Sequence, residues 1–172
     1  FDVSTGPGQA TLPGLRGKAM PIQAVTVKGR FADNLSQLNV TRLSLDMGAG
    51  LTAQASGKWN LGSEGFSLQG EGQIHNLAVE RLPIYWPENL GVDARTWLLA
   101  HLRGGIAHEA SFSIDLRPGD LDLAQPRADM VQLDWSYRNV AADYFGELPT
   151  VQNARGSGHI NGREFRLTMD SA

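Results

Sequence analysis

Along most of this chain apolar and polar residues alternate with a period of two, the spacing of a strand with one buried and one wetted face. The clearest run sets Leu51, Ala53, Ala55, Gly57 and Trp59 against Thr52, Gln54, Ser56 and Lys58. After a turn from Asn60 to Gly65, Phe66, Leu68, Gly70, Gly72 and Ile74 alternate with Ser67, Gln69, Glu71 and Gln73. The two runs predict a hairpin, greasy on one side and wet on the other. Upstream, a short strand is predicted from Gly8 to Leu12, closed by Pro13-Gly14. A longer one follows, with Val25, Val27 and Phe31 on one face and Thr26, Lys28 and Arg30 on the other. Asp33-Asn34 is a turn signal. Leu38, Val40, Leu43, Leu45 and Met47 then change phase between Val40 and Leu43, as one β-bulge would make them do.

The second half repeats the pattern. Ile106, His108, Ala110, Phe112, Ile114 and Leu116 alternate with Ala107, Glu109, Ser111, Ser113 and Asp115, up to a turn at Arg117-Pro118-Gly119-Asp120. Met130 to Arg138 is predicted as a strand with Val131, Leu133, Trp135 and Tyr137 on one face, and Val140 to Pro149 as irregular. A hairpin from Ala154 to Met169, turning at Asn161-Gly162, closes the chain, with Phe165, Leu167 and Met169 facing together. Between the halves lies one stretch of another kind. Asp93 is a fitting N-cap, His101 and Arg103 suit the C-terminal end of a helix dipole, and Gly104-Gly105 supply a left-handed stop. A helix is therefore expected from Ala94 to Arg103, with Ala94, Trp97, Leu98, His101 and Leu102 on one face.

The expected fold is mainly β: a long curved antiparallel sheet, an open groove or taco-like trough, with one short α-helical insert. Residues 1–172 read as a single β-rich module, and 82–105 as its aromatic-rich loop and helix insert. About eight strands of eight residues give a sheet roughly 38 Å wide and 27 Å long. A ten-residue helix is about 15 Å long and 10 Å across, too small to cover it. The uncovered apolar face must close on itself as a sandwich or barrel, pack on neighbouring segments of a larger protein, or stay open under lipid chains. Candidate floor residues are Val25, Val27, Phe31, Leu51, Phe66, Leu68, Phe112, Ile114, Leu133, Trp135 and Phe165. Small residues on the same face (Ala53, Ala55, Gly57, Gly70, Gly72, Ala110, Gly156, Gly158) leave room for curvature or for a guest. Tyr85, Trp86 and Trp97 either pin the helix to the sheet or stand at the lip of a groove.

Composition narrows the partners. Net charge is −3, and no run of Lys or Arg marks a nucleic-acid or anionic membrane surface. There is no cysteine, hence no disulfide or thiol chemistry. No signal peptide or apolar run of spanning length appears. The abrupt Phe1-Asp2-Val3 start and the stop in strand-like Met169-Asp170-Ser171-Ala172 suggest a piece of a longer protein.

The sequence carries no recognisable catalytic or cofactor motif. The four histidines, His75, His101, His108 and His159, lack metal-ligand spacing. His101 reads as a polar-tipped packing residue, and His108 as a hydrogen-bonded core residue sharing a face with Phe112. Gly119-Asp120-Leu121-Asp122 has an incomplete calcium-ligand spacing and reads as a turn. Gly156-Ser157-Gly158-His159-Ile160-Asn161-Gly162 has the wrong spacing for a dinucleotide loop. Asn39-Val40-Thr41 fits a glycosylation sequon of a kind common by chance. No catalytic, cofactor or metal site is expected, and the chain does not read as an enzyme.

Leu82-Pro83-Ile84-Tyr85-Trp86-Pro87, followed by Ala94-Arg95-Thr96-Trp97-Leu98 and His101-Leu102-Arg103-Gly104-Gly105, resembles the central region of AsmA-like bacterial envelope proteins of the YhdP type. The likeness is most specific from Leu82 to Leu116, and Leu148-Pro149 before a glycine-containing hairpin also fits. The resemblance implies a periplasmic segment of an inner-membrane-anchored protein, whose β-rich body carries phospholipids toward the outer membrane along a hydrophobic groove. It implies phospholipid acyl chains and neighbouring β segments as partners, with membrane contact made only by parts of the parent chain absent here. The rival expectation is a sealed structural β-module without lipid cargo.

Overall fold

The computed structural model of the chain describes residues 1–11, 19–63, 65–86, 92–123, 127–143 and 149–172. Its strands are β1 (Asp2–Thr5), β2 (Gly8–Thr11), β3 (Ala19–Ile22), β4 (Ala24–Ala32), β5 (Gln37–Asp46), β6 (Thr52–Gly62), β7 (Gly65–Ala78), β8 (Leu102–Arg103), β9 (Ile106–Leu116), β10 (Val131–Ala142), β11 (Val151–Ile160) and β12 (Phe165–Ser171). Between β7 and β8 lie a one-turn helix, α1 (Leu82–Tyr85), and a longer one, α2 (Val92–His101).

Ten strands form one antiparallel sheet in the order β1-β4-β5-β6-β7-β9-β10-β11-β12, with β8 joined to the end of β10. β2 and β3 pair separately as a hairpin. The fold is thus mainly β, and the large sheet does not close, because β1 and β12 end the path without meeting. Short connections make sequence neighbours into antiparallel spatial neighbours. The helical insert leaves the sheet and returns without interrupting it, since β7 and β9 pair directly from Leu68↔Leu116 to Ala78↔Ile106. A compact chain of 18.6 kDa exposes about 8,200 Å². This one exposes 10676 Å², as an unclosed sheet must.

The bulge expected between Val40 and Leu43 is present: β5 slips against both β4 and β6 there, and Thr41 donates its hydroxyl to the Lys28 carbonyl. Elsewhere the boundaries differ from expectation for local reasons. α2 starts at Val92, which puts Asp93 inside the first turn instead of at the cap. It stops at His101 because Leu102 and Arg103 pair with Ala142 and Ala141 as β8. The Arg103 guanidinium still donates to the Leu99 and Leu102 carbonyls at the helix end. Residues 82–85, expected as loop, form α1 behind a 3-10 turn at Val79–Arg81. β10 runs on to Ala142, past the expected break at Val140. Asn161-Gly162 belongs to a four-residue turn in which the Asn161 side chain accepts from the Arg163 and Glu164 amides. The expected turn at Pro13-Gly14, the Pro87 end of the proline motif and Leu148 lie outside the described residues.

The core is small and lies at one end of the strands. One cluster gathers Ile22, Met47 and Leu51, with Leu45, Ala53, Ile74, Leu77 and Tyr85 packed on it. Asn76 takes a positive φ of 59°, which lets Ile74 and Leu77 reach the same cluster. A second cluster gathers Val79, Tyr137, Val140 and Ala154, with Leu82, Leu102, Trp135, Val151 and Leu167 against it. Gly105 closes this end tightly: its φ is +76°, and a Cβ there would sit 2.6 Å from a Val140 methyl.

Candidate functional site

Register places the apolar side chains in rows across the sheet. Val27, Leu43, Ala55, Gly72, Phe112, Leu133, Ile160 and Phe165 stand side by side from β4 to β12. A second row runs Val25, Leu45, Ala53, Ile74, Ala110, Trp135, Gly158 and Leu167. Toward the other end lie Val40, Gly57, Gly70, Ile114 and Val131, then Phe31, Leu38, Trp59, Leu68 and Leu116. Successive strand residues alternate faces, so these rows build one continuous apolar surface.

That surface changes along the strand direction. At the Leu45–Ile74–Ala110 end it is covered by the β2–β3 hairpin, which buries Met20 and Ile22, and by Tyr85 of α1. α2 buries Ala94 and Leu98. Trp97 lies 6.0 Å from the Phe165 ring, which in turn stacks on Trp135 at 6.3 Å. At the opposite end several large side chains stand exposed. Phe31 is 54% exposed, Trp59 48% and Leu61 63%, and Trp59 stands edge-on to the Phe66 ring at 5.4 Å. Phe1, 48% exposed, leans on Phe31.

Ten of the eleven candidate floor residues share this face. Phe31 is exposed, while Val25, Val27, Phe66, Leu68, Phe112, Ile114, Leu133, Trp135 and Phe165 are half-buried. Leu51 is the exception: at 1% exposure it is core, capped where β6 begins, and it floors nothing. Of the aromatics in the insert, Tyr85 and Trp97 pack on the sheet as described, and Trp86 accepts through its carbonyl from Arg95 Nε.

The small residues are less vacant than the sequence suggests. A Cβ on Gly72 would meet the Phe112 ring at 2.6 Å, on Gly158 the Trp135 ring at 2.0 Å, and on Gly156 the Tyr137 hydroxyl at 2.7 Å. Aromatic rings from the neighbouring strand already lie across these glycines. At Gly57 and Gly70, paired with each other, the neighbours are backbone instead, a Cβ on Gly57 meeting the Gln69 carbonyl oxygen at 2.5 Å.

The other face is wet. Thr26, Ser44, Gln54, Gln73, Ser111, Asp134, His159 and Arg166 form its central row. Two open depressions of about 600 and 500 Å³ lie on it, both lined by Gln73, Ser111 and Asp134 among others. His108 belongs here and not beside Phe112. β9 slips against β10 between Glu109 and Ala107, and the His108 ring reaches Ser136 Oγ at 2.6 Å. Asp134 bonds His159 at 2.7 Å. The carboxylate therefore orients a different imidazole from the one at the serine, so no nucleophilic relay is assembled. No group of three metal-ligating side chains occurs among the described residues.

Charge is gathered at the turn after β9. Asp120, 8% exposed, accepts from Arg127 Nη2 at 2.8 Å and from the Arg117 amide at 2.8 Å. These two bonds, the guanidinium's above all, hold its carboxyl below the usual carboxylate range. Asp115 is lowered too, first by the Gln69 side-chain amide and then by Arg117. Arg127 also donates to the Asp115 carbonyl and to Asp129, which ties Asp115, Asp120 and Asp129 to one guanidinium. Tyr137, donating to the Thr168 carbonyl at 2.9 Å, is raised by burial and by the charge of Asp170.

The fold and this surface define the class: an open, two-faced antiparallel sheet whose apolar side, among the described residues, is capped at one end. No protein-family model, curated protein or solved structure matches the chain. Among the described residues no helix is long and apolar enough to cross a membrane.

Proposed function

We propose that this chain is a lipid-binding module of a bacterial envelope protein, one segment of an AsmA-like phospholipid-transport bridge, holding acyl chains on the apolar face of its open sheet. The observation that carries the reading is the bare end of that face, where Phe31, Trp59 and Leu61 stand in water although the same face is sealed further along. Soluble monomers seldom leave contiguous apolar surface of this kind uncovered. Covering it with hydrocarbon is worth about 2.5 kcal/mol for each 100 Å² removed from water.

The mechanism is passive. Apolar rows keep tails out of water, head groups stay solvated, and no bond is made or broken. Envelope placement is supported by the resemblance over Leu82 to Leu116. On this reading the module works in the periplasm, with other β segments of the parent protein continuing the sheet at β1 or β12 and other parts making the membrane anchor.

Native mass spectrometry and solvent extraction of the purified chain test the reading. Phospholipid adducts are expected on the unmodified chain. They should be lost from Leu68→Asp and Phe112→Asp variants whose circular dichroism is unchanged. A chain that carries no lipid and takes none from liposomes is the sealed structural module instead, and variants that simply unfold make these two residues plain core.

A further inference from the structure

On the wet face, the β11–β12 hairpin carries a line of polar side chains that fixes the state of one imidazole. Asn161 Oδ1 accepts from the Arg163 and Glu164 amides, both at 2.8 Å. Two N–H donors on one atom identify it as the oxygen, so the other terminal atom, Nδ2, is the amide nitrogen. Nδ2 lies 3.2 Å from His159 Nε2. An amide nitrogen only donates, so Nε2 must be bare to accept from it. The proton of the neutral ring is then on Nδ1, which stands 2.7 Å from Asp134 Oδ1 and donates to it. One imidazole thereby joins β10, through Asp134, to the turn between β11 and β12.

We propose that His159 is a proton-operated latch on this hairpin: the neutral ring holds the turn closed, and a second proton on the ring slackens it. Imidazole is the side chain that changes charge between about pH 5 and 8. On acidification the new N–H at Nε2 points at the Nδ2 donor, and the bond between them is lost. Two responses are open to Asn161, and both loosen the turn. Its amide can swing away from the ring, or flip to offer Oδ1 to Nε2, which strips the Arg163 and Glu164 amides of their acceptor. Asp134 prevents neither, because it keeps its bond to Nδ1 in both charge states. The charged groups around the ring are Asp134 on β10, Arg166 paired with His159 on β12, and Arg163 and Glu164 in the turn, with Glu109 of β9 lining the same depression. Arg166 bonds Glu164, so these two charges neutralise each other beside the ring. The latch does not depend on what the apolar face binds.

Imidazole nitrogen shifts and amide exchange of the unmodified chain, followed by NMR from about pH 8 to 5, test the latch. At the alkaline end the His159 ring is expected with its proton on Nδ1. As the ring charges, the protection of the Arg163 and Glu164 amides, corrected for the intrinsic pH dependence of exchange, should fall in step with it, while the amides of β10 keep theirs. Asn161→Asp should abolish that response, because a carboxylate still accepts from both amides and also accepts from a charged ring. A proton on Nε2 at the alkaline end, protection that does not follow the ring, or a response that survives in Asn161→Asp overturns the proposal.

Discussion

At the Leu51 end of β6 the apolar face meets other parts of its own chain: Ile22 from the β2–β3 hairpin, Met47 and Tyr85. At the Trp59 end of the same strand it meets water. The alternation that builds both ends is the same, so the strand pattern does not decide which part of a sheet is core. What decides it is whether something else arrives to cover it. The described residues of the hairpin and α1 pack at the Leu51 end, so burial and exposure are separated along a single strand.

Substitutions sharpen that separation. The largest effect is expected from Leu51→Asp, which buries an unpaired charge at a site 1% exposed. It should cost more than about 4 kcal/mol and unfold the chain in urea titration. Next comes Gly156→Ala, whose new Cβ would lie 2.0 Å from the Thr168 carbonyl oxygen and force β12 away. A loss of about 1–3 kcal/mol by the same measurement is expected.

Acid should act on the charge cluster after β9. The Asp120 carboxyl is held below its ordinary range when folded, so its contribution is complete at neutral pH and fades as pH falls below about 4. The urea midpoint should drop over that interval, and Asp120→Asn should start lower and fall less. The smallest effect on stability is expected from Leu61→Ser at the bare end, within about 0.5 kcal/mol. The same variant should retain less phospholipid after delipidation and incubation with vesicles. If Leu61→Ser cost as much as a core change, the contrast between the two ends would collapse.

Period-two alternation was enough to read the hairpin of β6 and β7 and the bulge at Thr41, because a two-faced strand writes its register directly into residue type. It failed where context outweighed pattern. His108 alternates with Phe112 on paper, but a slip between β9 and β10 turns it to the wet face. Leu102 and Arg103 continue a helical pattern, yet the edge of β10 takes their backbone groups. Glycines at 72, 156 and 158 look like empty space, and only the register reveals the aromatic ring lying over each. The face carrying Val27, Leu68 and Phe112 was legible from the sequence. Its division into capped and exposed halves was not, since the strand read at Gly8 to Leu12 carries no sign that β2 and β3 fold onto this face.

Carbene footprinting of the lipid-free chain, repeated after incubation with phospholipid vesicles, tests the central claim most directly. Phe31, Trp59 and Leu61 should label heavily without lipid and become protected with it, while Leu51 and Val140 stay unlabelled in both. Low labelling of Trp59 and Leu61 from the outset, or labelling that lipid leaves unchanged, would contradict the account.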